Sequence, residues 1–381
     1  MFWKTKTAKA NRERILAFDL LRGMFLAIIV TTHIFWAPSL YTFVGGGGAL
    51  PASAAEGFFT ISGILVGYLY RDRVLKETKR VTIKLWKRAA LLYGLTVFFT
   101  FLYTAWALLE PASSMHAVVY NQGSPLQFIY ETLTLQYAFG FADFLARYAV
   151  FMLFAPLAVW LVAKQKAWIV ALASFAVWLL LHNINRFPFL AAWQIIFMFS
   201  IIIGCYMPHI EKWFTGLTKR TQRTLFIAVC SAAFITYAAS ILVFVVGPVK
   251  LLHLDAIIAI KQQLDPIFNK DHLPLARLVI GVLWFAGLYM AFRRYEKQIS
   301  RYSFGIFETL GRQSLFVYCF HSVVLFAIAV YFYPPTDSTF LENTFVTTIT
   351  LAIVYFAAYY RKRLTEFGRK ILSNKSTTQV P

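Results

Sequence analysis

Long apolar runs, each about the length of a membrane-crossing helix, alternate along this chain with short polar or basic segments. A helix needs about 20 mostly apolar residues to cross a hydrocarbon core of roughly 30 Å. Ten such stretches occur: 15–36, 50–70, 89–109, 143–163, 167–182, 191–208, 224–246, 275–292, 314–333 and 342–360. The pattern predicts an all-α polytopic membrane bundle of about ten transmembrane helices, because a closed barrel shows short alternating segments instead. The stretch 126–141 is too short and too polar for a span. It reads as an interfacial or re-entrant piece leading into the fourth.

The basic residues give the orientation, since cytoplasmic loops hold the excess of Lys and Arg. With the N-terminus inside, the inner segments collect 30 of the 37 basic residues, in runs such as Lys4 to Arg14, Arg71 to Arg88 and the tail from Arg361. The loops 37–49, 110–125 and 334–341 contain none. Both termini are therefore expected in the cytoplasm, with a basic segment 1–14, a membrane domain 15–361 and a basic tail 362–381.

Composition narrows the class. The chain of 381 residues is 59% hydrophobic and 18% aromatic, but only 14% charged. Soluble domains carry roughly 25% charged residues, so the composition argues against an ordinary soluble enzyme, and it excludes a disordered chain. The net charge of +20 does not indicate a nucleic-acid binder, which needs a basic surface facing water. Most of it is accounted for by topology and anionic headgroups. The expected cytoplasmic loop 71–88 holds eight basic residues, more than orientation requires, and a polyanionic cytosolic ligand is the sharper reading there. Cys205, Cys230 and Cys319 fall within expected spans and give neither a disulfide framework nor metal-ligand spacing. The first apolar run carries Asp19, Arg22 and His33, which argues against a cleavable signal peptide.

Ionisable groups inside a span are costly and are functional candidates by default. At 100° per residue, the offset from Arg22 to His33 is only about 20°, and from Asp19 to His33 about 40° the other way. All three share one face, with Arg22 about 16 Å inward of His33. Asp19 and Arg22 are spaced to pair at i,i+3. Glu56 enters the second span at a depth close to that of His33, so a Glu56–His33 contact is within reach. A carboxylate there fixes the imidazole tautomer, as a general base needs; the plainer alternative is two polar groups that merely satisfy each other. Ser314, Tyr318 and His321 are spaced i, i+4, i+7 in the ninth span and share a face. Lining a polar channel and bonding a neighbouring helix are equally open for His321. Asp143 and Arg147 form an i,i+4 pair that reads as structural.

These residues also carry a family likeness. FDLLRG followed by His33 resembles the Arg-x10-His signature of the membrane acyltransferase-3 superfamily. EGFFTISG and LGRQSLFVYCFH resemble its acidic-x-FF-x-x-SG and Gly-x-x-Ser-x-x-x-Tyr-x-x-His segments. Within that superfamily the chain is most similar to OpgC proteins, which succinylate osmoregulated periplasmic glucans. KRAALLY, ADFLARYAVFMLFAPL and AAWQIIFMFSIIIG support the likeness, which runs over about 15–330. One departure concerns the paired Arg that many relatives carry before the third span, where this chain has Lys84, Lys87 and Arg88.

The resemblance implies acyl transfer in the inner membrane, from cytosolic acyl-CoA (succinyl-CoA or acetyl-CoA) to a hydroxyl of an extracytoplasmic oligosaccharide or polysaccharide, without a metal. It implies catalytic roles for His33, Glu56 and Arg22. Substrate contacts are implied for Asp19, Ser62, Ser314, Tyr318, His321, Trp193 and Gln194, and donor contacts for Lys84, Lys87 and Arg88. Besides acceptor and donor, the expected partner is membrane lipid, not nucleic acid. Two other classes compete: a proton-coupled transporter, since buried Asp, Arg and His are also relay signatures, and a non-catalytic flippase or assembly partner. The chain shows no repeated half of the kind transporters often have.

Overall fold

The computed structural model describes residues 15–111, 115, 124–181, 188–246 and 255–377. The expected basic run Lys4 to Arg14, and with it Arg186, Lys250, His116, His182 and His253, lies outside the described residues. The elements are helices, and the described residues contain no strand. In chain order they are α1 (Leu16–His33), α2 (Leu40–Gly45), α3 (Ala54–Val74), α4 (Thr78–Leu109), α5 (Pro125–Leu133), α6 (Asp143–Ala163), α7 (Ala167–Leu181) and α8 (Pro188–Gly216). There follow α9 (Lys219–Ser240), α10 (Asp255–Leu264), α11 (Leu275–Arg294), α12 (Glu296–Tyr302), α13 (Ile306–Arg312), α14 (Ser314–Tyr331) and α15 (Phe340–Thr377). A π-helical stretch Ile241–Val246 extends α9.

Among the described residues, eight helices are long and apolar enough to cross a membrane: α1, α4, α6, α8, α9 with its extension, α11, α14 and α15. Of the other two expected spans, α7 is apolar but has 15 residues. The second, α3, has 21, its apolar run diluted by Glu56, Gly57, Thr60, Ser62, Gly63 and Gly67. The stretch after residue 125 forms the short, largely exposed α5.

One expectation about a loop needs correcting. The basic segment 71–88 is not a loop: α3 runs to Val74 and α4 begins at Thr78. Val81, Leu85 and Ala89 recur at i, i+4, i+8 and are buried, so an amphipathic face carries the helix well beyond its apolar run. The basic side chains Lys84 and Lys87 stand on the opposite, exposed face.

Two packing arrangements fix the frame around α1 and α3. Gly67 of α3 lies against the Ile201 carbonyl of α8, and Gly204 of α8 against the Ile64 carbonyl of α3; a Cβ on either would come within about 2 Å of those oxygens. Gly23 of α1 and Gly311 of α13 do the same, each seated on the other helix's backbone, at Phe307 and Asp19. Small residues that let backbones approach are the usual means of tight helix association in lipid. Around Phe59 of α3, the rings of Phe144, Phe151 and Trp193 close the core with centroids at 4.4, 5.4 and 5.7 Å. Large apolar side chains also face outward, among them Phe154, Leu172, Phe234, Val279 and Val282, as they do when the solvent is hydrocarbon.

Candidate active site

Helix α1 positions two of the expected residues eleven residues apart, about three turns. Near its start, Arg22 reaches toward α3, where its guanidinium lies 5.6 Å from the Phe58 ring centroid and donates to Ser62 Oγ at 3.4 Å. Arg22, Arg88, Ser314 and Tyr318 line one narrow cavity walled by Phe58, Phe144, Leu145, Tyr148 and Leu315. Two guanidinium groups thus face a single cavity whose lining includes no carboxylate, a setting for an anion or for developing negative charge. Of the three basic residues expected near the donor, Arg88 alone lines this cavity. Lys84 lies over the Tyr70 ring, 5.6 Å from its centroid, and Lys87 is exposed. Buried Asp19 has Arg312 of α13 at 3.9 Å, and Arg312 also pairs with Glu308 at 2.6 Å. This partner comes from the far end of the chain, where helical spacing within α1 gives no hint of it.

At the other end of α1, His33 is exposed. Its Nδ1 lies 2.8 Å from the Ile29 carbonyl one turn earlier. A carbonyl only accepts, so Nδ1 carries the proton in this bond. In the neutral ring Nε2 is then the unprotonated nitrogen, as a general base requires. His321, buried on α14, repeats the arrangement with the Val317 carbonyl at 3.1 Å. Its ring meets that of Tyr318 edge-on at 5.0 Å, and the Tyr318 hydroxyl donates to the Phe141 carbonyl at 3.0 Å. His321, Asp143 and Lys270 all lie within electrostatic reach of His33.

The expected Glu56–His33 contact is not formed. Glu56 accepts from Arg277 Nε and Nη2 at 2.9 and 2.5 Å and from Ser53 Oγ at 3.1 Å. Both partners of the ion pair are buried, with side chains 6% and 3% exposed. The physical reason is charge: a buried carboxylate is held by a forked cation, which neutralises it with two donors, whereas a neutral imidazole offers one hydrogen bond and no charge. The tautomer of His33 is set by Ile29 instead.

Arg277 was visible as a charge three residues into the eighth apolar run, under the same rule that singles out Arg22. Asp143 and Arg147 form their expected ion pair at the start of α6. Arg147 also covers the Trp193 ring at 5.0 Å, and Trp193 Nε1 donates to the Lys270 carbonyl at 3.2 Å. Trp193 therefore packs between Arg147 and the Lys270 segment. Gln194 does not reach it: its amide bonds Ser174 of α7 and the Ala191 carbonyl, pinning α7 to α8. Lys270, outside the helices, is open to water but crowded by protein. That partial burial pushes its ammonium below the ordinary lysine range; Arg147 and Arg277 add to the shift, while Asp143 and Glu56 oppose it.

The model of the family described as OpgC protein matches residues 14–366. The chain belongs to the OpgC protein family. The match spans every helix of the site, from α1 with Arg22 and His33 to α14 with Tyr318 and His321. A search of the curated proteins gave no match. With the apolar helical bundle, membership makes this an OpgC-type membrane protein.

Proposed function

We propose that the chain is an acyl-CoA-dependent O-acyltransferase of the inner membrane, with both termini cytoplasmic. It would transfer a succinyl or acetyl group from cytosolic acyl-CoA to a hydroxyl of an extracytoplasmic glucan or other glycan. The observation that carries this reading is the state of His33: accessible, with Nδ1–H committed to a backbone carbonyl and Nε2 left as the base. Family membership supports the reaction class.

In the proposed step, Nε2 of His33 takes the proton of the acceptor hydroxyl as its oxygen attacks the thioester carbonyl carbon. The new C–O bond forms, the C–S bond breaks, and the imidazolium returns its proton to the departing thiolate, giving the ester and free CoA. Arg22 and Arg88, facing one cavity, guide the acyl-pantetheine arm or stabilise negative charge along its path. Lys84 and Lys87, at the end of the bundle where α3 turns into α4, meet the nucleotide phosphates. Glu56 supports the site through Arg277 and does not contact the base.

General base catalysis contributes about 10²–10⁴-fold, so His33→Ala is expected to lower kcat/KM by about that factor in proteoliposomes supplied with acyl-CoA and a glucan acceptor. The variant must insert and express like the wild type. Undiminished transfer would sink the mechanism, and solute uptake without acyl-CoA would point to a transporter.

A further inference from the structure

The segment between α10 and α11 has no regular structure at Lys270, yet three helices hold it. Arg277 of α11 donates to the Phe268 carbonyl at 2.7 Å, Trp193 of α8 to that of Lys270 at 3.2 Å, and Trp178 of α7 to that of Leu273 at 3.1 Å. Inside the turn, Asn269 Oδ1 accepts from the amides of Asp271 and His272 at 2.7 and 3.2 Å. Leu273 is held at φ 45°, fully buried; a non-glycine residue stays in that region only when its surroundings over-determine it. A surface loop with no constraint on its shape does not need three long side chains as donors to its carbonyls.

This loop carries the exposed Lys270 and, next to it, the exposed Asp271. Among the described residues, the Lys270 amine has no hydrogen-bond or ion-pair partner. The two carboxylates that face it from other helices are already matched, Asp143 by Arg147 and Glu56 by Arg277. Of the groups that act on the Lys270 amine across the helices, Asp143 and Glu56 are set against Arg147 and Arg277, so they do not neutralise it, and this amine lies within electrostatic reach of His33.

We propose that Lys270 is a specificity-determining residue that binds a carboxylate carried by the substrate beside His33, and that this carboxylate belongs to the acyl group being transferred. The inference rests on the acyl-transfer reading above. An acyl group in transit has its carbonyl carbon at the base, so a carboxylate a few bonds away on the same group falls within the neighbourhood of Lys270. A neutral acyl group has nothing to offer that charge. Trp193 and Arg277 act on this subsite as positioning residues, through the carbonyls of Lys270 itself and of Phe268.

The test compares succinyl-CoA with acetyl-CoA on an uncharged glucan, using full-length protein in proteoliposomes. Lys270→Met is expected to lower the ratio of kcat/KM for succinyl over acetyl by at least tenfold, chiefly through KM for the succinyl donor, and Lys270→Arg to retain most of it. An unchanged ratio in Lys270→Met overturns the proposal. A Lys270 effect that appears only when the acceptor carries a carboxylate keeps the anion subsite but overturns its assignment to the acyl group. A second measurement does not depend on transfer: reductive methylation of Lys270 in the detergent-solubilised wild type, followed by mass spectrometry. Succinate is expected to protect this lysine and succinamide not to; equal modification with both overturns the subsite even if no acyl transfer is found.

Discussion

Glu56 shows how a single buried charge selects its partner. Its depth in α3 placed it beside His33 on sequence grounds, but a carboxylate out of water is stabilised by a full opposite charge, and Arg277 supplies one with two donors. Removing one partner of such a pair leaves an uncompensated charge, at a cost of about 3–5 kcal/mol. Arg277→Ala and Glu56→Ala are each expected to destabilise the protein by about that amount. Replacing both with apolar residues of similar volume should recover much of the loss. Thermal unfolding in detergent, with the two single variants and the double replacement, measures this; additive losses in the double would contradict the pairing. Such an outcome would also weaken the placement of the Lys270 loop, since Arg277 holds both Glu56 and the Phe268 carbonyl.

Among the helices, two kinds of signal behaved differently. Apolar length located the spans, but it set the start of α4 at residue 89, eleven residues late, because a basic amphipathic helix continues the apolar one. The recurrence of Val81, Leu85 and Ala89 marked that extension; charge density masked it. The close contacts of α1 with α13 and of α3 with α8 depend on glycines whose role cannot be told from sequence spacing. In the segments FDLLRG and LGRQS the two glycines look alike, yet each is needed because the other helix's backbone lies against it. Gly23→Ala would place a methyl 1.8 Å from the Phe307 oxygen and Gly311→Ala one 1.8 Å from that of Asp19. Overpacking of this kind costs about 1–3 kcal/mol. Either substitution is expected to lower thermal stability by that order and to reduce transfer, since α1 carries both Arg22 and His33. Gly94, with open space where its Cβ would stand, provides the control: Gly94→Ala should be neutral or slightly stabilising, as alanine is the better helix former.

For the whole molecule, the asymmetry of basic residues argues that the termini share the cytoplasmic side. Cysteines introduced near residue 5 and residue 370, in a chain with its three native cysteines replaced, are expected to react with an impermeant maleimide only after the inner membrane is opened. A cysteine at Ser338, in a loop without Lys or Arg, should react in intact spheroplasts. Labelling of either terminus in intact spheroplasts would refute the inside–inside arrangement. It would also reverse the side on which Lys84 and Lys87 meet a donor.

Apolar run length, the scarcity of charge and the placement of Lys and Arg are properties of the chain as a string. They determined without further help that this is an all-helical membrane bundle, and they made Asp19, Arg22, His33, Glu56 and His321 conspicuous as groups that hydrocarbon does not tolerate. Helical periodicity also put Arg22 and His33 on one face of α1, since that relation is internal to a single helix. His33 and His321 each bond a carbonyl one turn earlier in their own helix, but the ion-pair partners of Glu56 and Asp19 were a matter for tertiary structure alone. Arg277 lies 221 residues from Glu56, and Arg312 lies 293 residues from Asp19. Lys270 gives no signal in a polar segment until Trp178, Trp193 and Arg277 fix the loop around it. Which charges cancel and which one remains depends on distances between helices, and no periodicity along the chain encodes those.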